Sequence, residues 1–459
     1  MRINHILKFI KKPSDVSTED ERSKERYRRI TISAILSLAN KGVTVVTTLI
    51  SVPLTVNYLG AERYGLWMTI SSAVAMLGFA DLGMGNGLLN LISEANGKDD
   101  RHLARVYVSS AFFMLLGVSL LILILFSSIY FFIPWSNIFN VQSSLAIRET
   151  APAVAVLVSS FAINMPLGIV QRVQSGYQED YKNQYWASLG SLFGLVGILV
   201  CVYFQAGLPW LILVLSGSTI FTTFLNGIKL FYFQRKWLFP SFKFFNWTAG
   251  KKITRLGSVF LVLQLLNFIG LSSDNLVISN VLGASSVATY AITQKLFFTA
   301  FVSQFFITPL WPAFGEAMAR SDYYWAKKTL DKVLILSFGI GFFTSVLLFT
   351  YGKSIIETWT NPSLVPSTSL LLGFCAWLSL WGYVGTMSTF LNSGTFLKKQ
   401  ITFFSLATFT SLLLKVLLIH RYGISGVIWA TVIGYGVFYV FPAGKLAYTS
   451  ISQSIEVNQ

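Results

Sequence analysis

Apolar runs of about 20 residues recur along nearly the whole chain, separated by short polar loops. A run of that length is what a helix needs to cross hydrocarbon, where every backbone N–H and C=O must be satisfied within the segment itself. The runs fall at 31–56, 65–91, 104–133, 150–171, 183–205 and 208–233, then at 256–280, 287–317, 330–351, 364–391, 400–419 and 424–448. They predict an all-α polytopic membrane protein with about twelve transmembrane helices. Composition agrees, because 54% of the residues are hydrophobic and only 12% charged, against about a quarter charged in a soluble domain.

The runs divide into two similar halves. Gly60-Ala61, at a polar hinge that continues to Glu62-Arg63, is answered by Gly283-Ala284, an offset of 223. Ser93-Glu94-Ala95 is answered by Gly315-Glu316-Ala317 at 222, Gln174-Ser175-Gly176 by Asn392-Ser393-Gly394 at 218, and Gly207 by Gly423 at 216. Each pair alone is common; the ordered set predicts two repeats of six helices. Six is even, so the second repeat enters the membrane in the same direction as the first, and the repeats are parallel.

The formal net charge of +16 does not point to nucleic acid, because the basic residues gather in alternate loops. Arg235, Lys236, Lys243, Lys251, Lys252 and Arg255 lie in the loop joining the halves. Lys98, Arg101, Arg105, Arg320, Lys327, Lys328 and Lys332 lie in two more. Opposite loops hold only Arg63, Arg148, Lys353 and Arg421, so roughly 27 of 35 basic residues share one side. The bias places both termini of a multi-pass membrane protein in the cytoplasm. The expected organisation is a cytosolic tail at 1–29, a six-helix lobe at 30–233, a basic linker at 234–255, a second lobe at 256–450 and a tail at 451–459.

Ionisable residues inside spans are costly and face a cavity or a partner by default. They are Lys41, Asp81, Lys229, Asp274, Lys295 and Lys415. Lys41 and Lys295 sit about ten residues inside their spans, roughly 15 Å deep. Lys229 is close enough to an interface to snorkel. Lysines outnumber acids, so pairing cannot neutralise them all, and Lys41, Lys295 and Lys415 are the candidates for an anion-attracting cavity. The alternative for each is an ion pair or carbonyl contact within one bundle. Asp81 and Asp274 are ion-pair partners or, for a coupled transporter, the acids available to carry H+ or Na+.

Other chemistries find little support. Cys201 and Cys375 lie inside apolar runs as packing residues, and His5, His102 and His420 lack ligand spacing. No phosphate-binding G-x-x-x-x-G-K-[ST] loop occurs. No cofactor, metal site or catalytic residue is expected.

At the hinge, Tyr58-Leu-Gly-Ala-Glu-Arg-Tyr-Gly65 followed by Asp81-Leu-Gly83, and in the second half Asp274 through Gly283 with Tyr290 and Lys295, resemble the Wzx-type O-antigen and polysaccharide flippases. These belong to the multidrug/oligosaccharidyl-lipid/polysaccharide exporter superfamily. The resemblance implies two six-helix lobes in a V-shaped, MATE-like transporter that opens alternately to each side of the membrane. It implies an undecaprenyl-diphosphate-linked oligosaccharide as substrate, with a polysaccharide polymerase and a chain-length regulator as further partners. A small-molecule/cation antiporter or a peptidoglycan-precursor flippase of the same superfamily, and a membrane-embedded polysaccharide enzyme, are the competing readings.

Overall fold

A computed structural model describes residues 19–139, 141, 143–282, 284–299, 304–359, 365–393 and 396–458, and every regular element among them is helical. They fall into two compact units, Met1–Ser258 and Val259–Gln459. Ten helices among the described residues are long and apolar enough to cross a membrane. The expected spans at 65–91 and 287–317 are the two that do not qualify, and each is the second of its repeat.

The first unit opens with α1 (Glu19–Met76), bent at Gly60, whose φ of 74° and ψ of 169° suit only glycine. A 3-10 turn (Leu77–Asp81) follows, then Leu82 and Gly83 at φ 51° and 71°, then α2 (Met84–Gly97). The continuous helix expected over 65–91 is therefore broken near its centre. In the second unit the corresponding stretch holds α10 (Ala284–Thr299), α11 (Gln304–Ile307) and α12 (Leu310–Ala319), with residues 300–303 outside the described ones. Pro309, which has no N–H to continue the ladder, separates the last two.

The remaining helices of the first unit are α3 (Arg101–Tyr130), α4 (Trp135–Ile138), α5 (Ser144–Leu167), α6 (Ile169–Gly176), α7 (Asp180–Tyr203) and α8 (Leu208–Ile228). Then comes α9 (Trp247–Leu282), which carries the unit boundary within it. The second unit adds α13 (Tyr323–Trp359), α14 (Thr368–Ser393), α15 (Leu397–Tyr422), α16 (Ile424–Tyr435) and α17 (Phe441–Asn458). In the first unit α7 packs on α1 and α8, and in the second α13 pairs with α14 and α15 with α16. Leu121, Ile124 and Leu125 on one face of α3 are more than half exposed, as a lipid-facing helix requires.

The repeat survives at atomic detail. After α2, Asp100 N–H donates to Ala95 O (2.9 Å) and Asp99 N–H to Asn96 O (3.2 Å), with Asp99 at φ 53°. After α12, Asp322 N–H donates to Ala317 O (2.9 Å) and Ser321 N–H to Met318 O (3.1 Å), with Ser321 at φ 61°. Both are Schellman endings. Glu94 pairs with Lys98 (2.6 Å) and Glu316 with Arg320 (2.9 Å). Asp100 then accepts from Leu103 N–H and Asp322 from Trp325 N–H, each capping the next helix. Gly207 and Gly423 likewise occupy equivalent positions, immediately before α8 and α16. Gly283 and Gly394, the other second-half landmarks, lie outside the described residues.

The linker expected at 234–255 belongs physically to the first unit. It is strapped to α3. Ser241 N–H donates to Ser109 Oγ, Asn246 N–H to Ser110 Oγ, and Phe113 meets the rings of Phe242 and Phe245 edge-on. The Arg105 guanidinium lies 3.8 Å from the Phe244 ring centre. The linker's aromatic residues make it a wall of the lobe. The start of α9 then crosses α2 backbone to backbone. A Cβ on Gly87 would stand 2.7 Å from Ile253 O, and one on Gly257 2.8 Å from the Gly83 carbonyl carbon.

Candidate functional site

The intramembrane charges separate into committed and uncommitted groups. In the second unit Lys415 and Asp274 meet at 2.6 Å, with side chains 0% and 4% exposed. Lys415 also donates to Gly270 O (2.7 Å) and Ser273 Oγ (3.2 Å), while Tyr290 O–H donates to Asp274 Oδ2 (2.7 Å). All the partners come from α9, α10 and α15, so the cluster pins three helices of one bundle together. Lys415 is thus enclosed by its own lobe, and of the two roles open to it from sequence it occupies the internal pair.

Lys41 and Lys295 are placed differently. Both are exposed on their own lobes, and neither Nζ has an ion-pair or hydrogen-bond partner among the described residues. Lys41 sits beside a neutral link between α1 and α7, in which Asn40 donates to Gln184 and accepts from Ser188. Lys229 lies 5.9 Å from the Trp186 ring centre near the end of α8, as a snorkelling lysine does.

Asp81 is half-buried in the break of the second helix. Its carboxylate accepts from Gly83 N–H (2.7 Å) and Gly85 N–H (3.4 Å), so it caps α2 across two left-handed residues. Beside it stands Arg172 of α6, donating to Asn86 Oδ1 (2.8 Å). A Cβ on Gly85 would touch Arg172 Nε at 2.9 Å and Asp81 Oδ2 at 3.2 Å. Asp81 and Arg172 therefore flank the same glycine without a direct ion pair among the described residues. Sequence reasoning missed Arg172 because it sits just past the apolar run ending at 171. The apolar residues Ile169, Val170 and Val173 that bracket it are buried, and their helical spacing was the available signal.

At the hinge, Arg63 holds Glu149 bidentately (2.6 and 2.8 Å), and Glu149 also accepts from Leu208 N–H. This ties the bend in α1 to the starts of α5 and α8.

A chain of membrane-length helices in two like repeats, each with a broken second helix, defines a two-lobe membrane transporter fold. Solved structures agree. An outward-facing multidrug resistance MATE family transporter of the MOP superfamily superposes with a TM-score of 0.79 at 17% identity, over 94% of this chain and 97% of that one. A MOP superfamily transporter from Pyrococcus furiosus gives 0.78 at 16%, over 94% and 96%. Residues 30–318 match the model of the family described as polysaccharide biosynthesis protein, and the chain belongs to that family. Among its relatives, a putative O-antigen transporter of Salmonella typhi is 22% identical over 443 residues, 92% of this chain and 98% of the relative. A putative O-antigen export protein of Yersinia pseudotuberculosis is 23% identical over 343 residues, 71% and 74% of the two chains.

Proposed function

We propose that the chain is a flippase carrying undecaprenyl-diphosphate-linked oligosaccharide repeat units of a surface polysaccharide from the cytoplasmic to the periplasmic leaflet of the inner membrane. The family and its O-antigen relatives support the substrate class. The observation that carries the mechanism is the pair of exposed lysines without acid partners among the described residues, Lys41 on one lobe and Lys295 on the other. A desolvated ammonium holds a phosphate as a point charge, and one cation on each lobe lets the diphosphate keep an attractive partner as the lobes alternate their access. The protein acts as a conduit, not a catalyst. Its termini lie in the cytoplasm, the side favoured by the basic loops. Asp274 is held by Lys415 and Tyr290, so Asp81 is the acid we assign to any proton or sodium coupling.

The test is a strain lacking the gene, followed for the leaflet in which its lipid-linked oligosaccharide resides. Accumulation facing the cytosol, relieved by the wild-type protein but not by Lys295→Ala expressed at equal level, supports the proposal. Unchanged surface polysaccharide in a strain with no other flippase contradicts it. Binding of a cationic dye that is lost on neutralising Asp81 would point instead to the antiporter.

A further inference from the structure

At the end of the first lobe where α1 begins, a polar cavity of about 560 Å3 opens between four stretches of chain. Its lining includes Arg29 before the first span, Asp99, Asp100 and Arg101 at the start of α3, Tyr177, and Gln234, Arg235 and Trp237 of the linker. Two of the guanidiniums are held rigidly. Arg235 forks onto Glu179 (2.7 and 3.0 Å) and stacks 4.1 Å from the centre of the Tyr177 ring. Arg29 is fixed by Glu25 (2.7 Å) and by Tyr177 O (2.8 Å). Each uses two of a guanidinium's five donors in these bonds. The third, Arg101, is exposed and rests 5.8 Å from the Trp237 ring centre, with no carboxylate partner among the described residues.

Arg29 and Arg235 are matched by Glu25 and Glu179, and the Asp100 carboxylate is committed to Leu103 N–H, which leaves Arg101 as the cation of this lining with no carboxylate partner among the described residues. Planar forks pre-oriented by buried acids and flanked by two aromatic rings are features that bind a phosphate group. We infer that this cavity is a binding site for a phosphate-bearing ligand, outside the transport path and independent of the transport reading. Arg101 is its free clamp, Arg29 and Arg235 are its fixed ones, and an occupant joins the linker to the loop preceding α3.

The phosphate can arrive on a water-soluble molecule or on a lipid headgroup, and two arms separate these. The full-length protein in detergent is titrated with inorganic pyrophosphate. The same protein in nanodiscs of phosphatidylglycerol is compared with nanodiscs of phosphatidylcholine. Thermal unfolding is read in both arms. A saturable rise in midpoint with pyrophosphate identifies a soluble ligand; a rise confined to phosphatidylglycerol identifies a lipid. In either case Arg101→Gln is expected to weaken the response at least fivefold in midpoint concentration or abolish the lipid dependence, and Arg101→Lys to restore it in part. Arg101 makes no ion pair among the described residues, so these variants fold; Trp237→Leu serves as an independent second lesion. Absence of any response in both arms, or a response untouched by both Arg101→Gln and Trp237→Leu, overturns the proposal.

Discussion

Asp81 and Asp274 are both acids inside membrane segments, yet the protein accommodates them in opposite ways. Asp274 is sealed by a lysine, a tyrosine hydroxyl and the surrounding helices. Asp81 is capped by backbone N–H groups at a helix break, half-exposed, with Arg172 alongside. A sealed pair contributes to one conformation of a lobe. A capped acid at a break, with an arginine near but not bonded, has no single side-chain partner among the described residues. The transport role proposed above is therefore assigned to the exposed and loosely partnered charges, and a structural role to Lys415.

The largest effect expected is from breaking the sealed pair. Lys415→Ala leaves Asp274 buried and unmatched, which costs about 3–5 kcal/mol, and thermal unfolding in detergent should show most of the protein lost. The double variant Asp274→Asn/Lys415→Met should recover most of that stability; failure to recover would show that the cluster does more than pack the lobe.

Next in size is an acid-linked effect at the end of the first lobe. Burial pushes Glu179 up, but the Arg235 fork and Lys182 outweigh it and hold the carboxyl at about 2 against an ordinary 4.5. A carboxyl lowered on folding stabilises the fold above its unfolded value, and the contribution, on the order of 3 kcal/mol, drains away as pH falls from about 4.5 toward 2. Arg235→Gln should flatten the acid limb of the stability curve over that window. Burial, with a smaller push from the Glu179 charge and against the pull of Arg235 and Arg101, raises the neighbouring Tyr177 hydroxyl to about 12, so it stays protonated throughout.

A smaller effect separates capping from transport at Asp81. Asp81→Ala removes the cap on α2 and should cost about 1 kcal/mol, whereas Asp81→Asn keeps an acceptor oxygen and should unfold close to wild type. A transport defect in Asp81→Asn would then report on the charge itself. The smallest effect on stability is expected from Lys41→Gln and Lys295→Gln. Both should unfold within about 0.5 kcal/mol of wild type, as exposed substitutions do.

Much of the architecture was legible because hydrocarbon demands long apolar helices, and ten of the twelve expected spans are helices of that kind among the described residues. The break in the second span was not legible. Gly83 and Gly87 sit in an apolar run that satisfies every length criterion. Gly87 packs at the crossing with Ile253 and Gly257, whereas Gly83 adopts φ 71° to let the chain turn. The linker was read from its lysines, while Phe242, Phe244 and Phe245 decided its place. Among the site residues, the depth expected of Lys41 and Lys295 follows from counting helical rise. The partnership of Lys415 with Asp274 does not, because it joins residues of different helices far apart in the chain and only packing brings them together.

The division between structural and transporting charge is tested most directly in the gene-deletion strain, by the leaflet distribution of lipid-linked oligosaccharide in cells expressing either of two variants at wild-type level. Asp274→Asn/Lys415→Met should restore export and Lys295→Gln should not. Restoration by Lys295→Gln together with failure of a well-folded Asp274→Asn/Lys415→Met would contradict the account and move the transporting charge to the sealed pair.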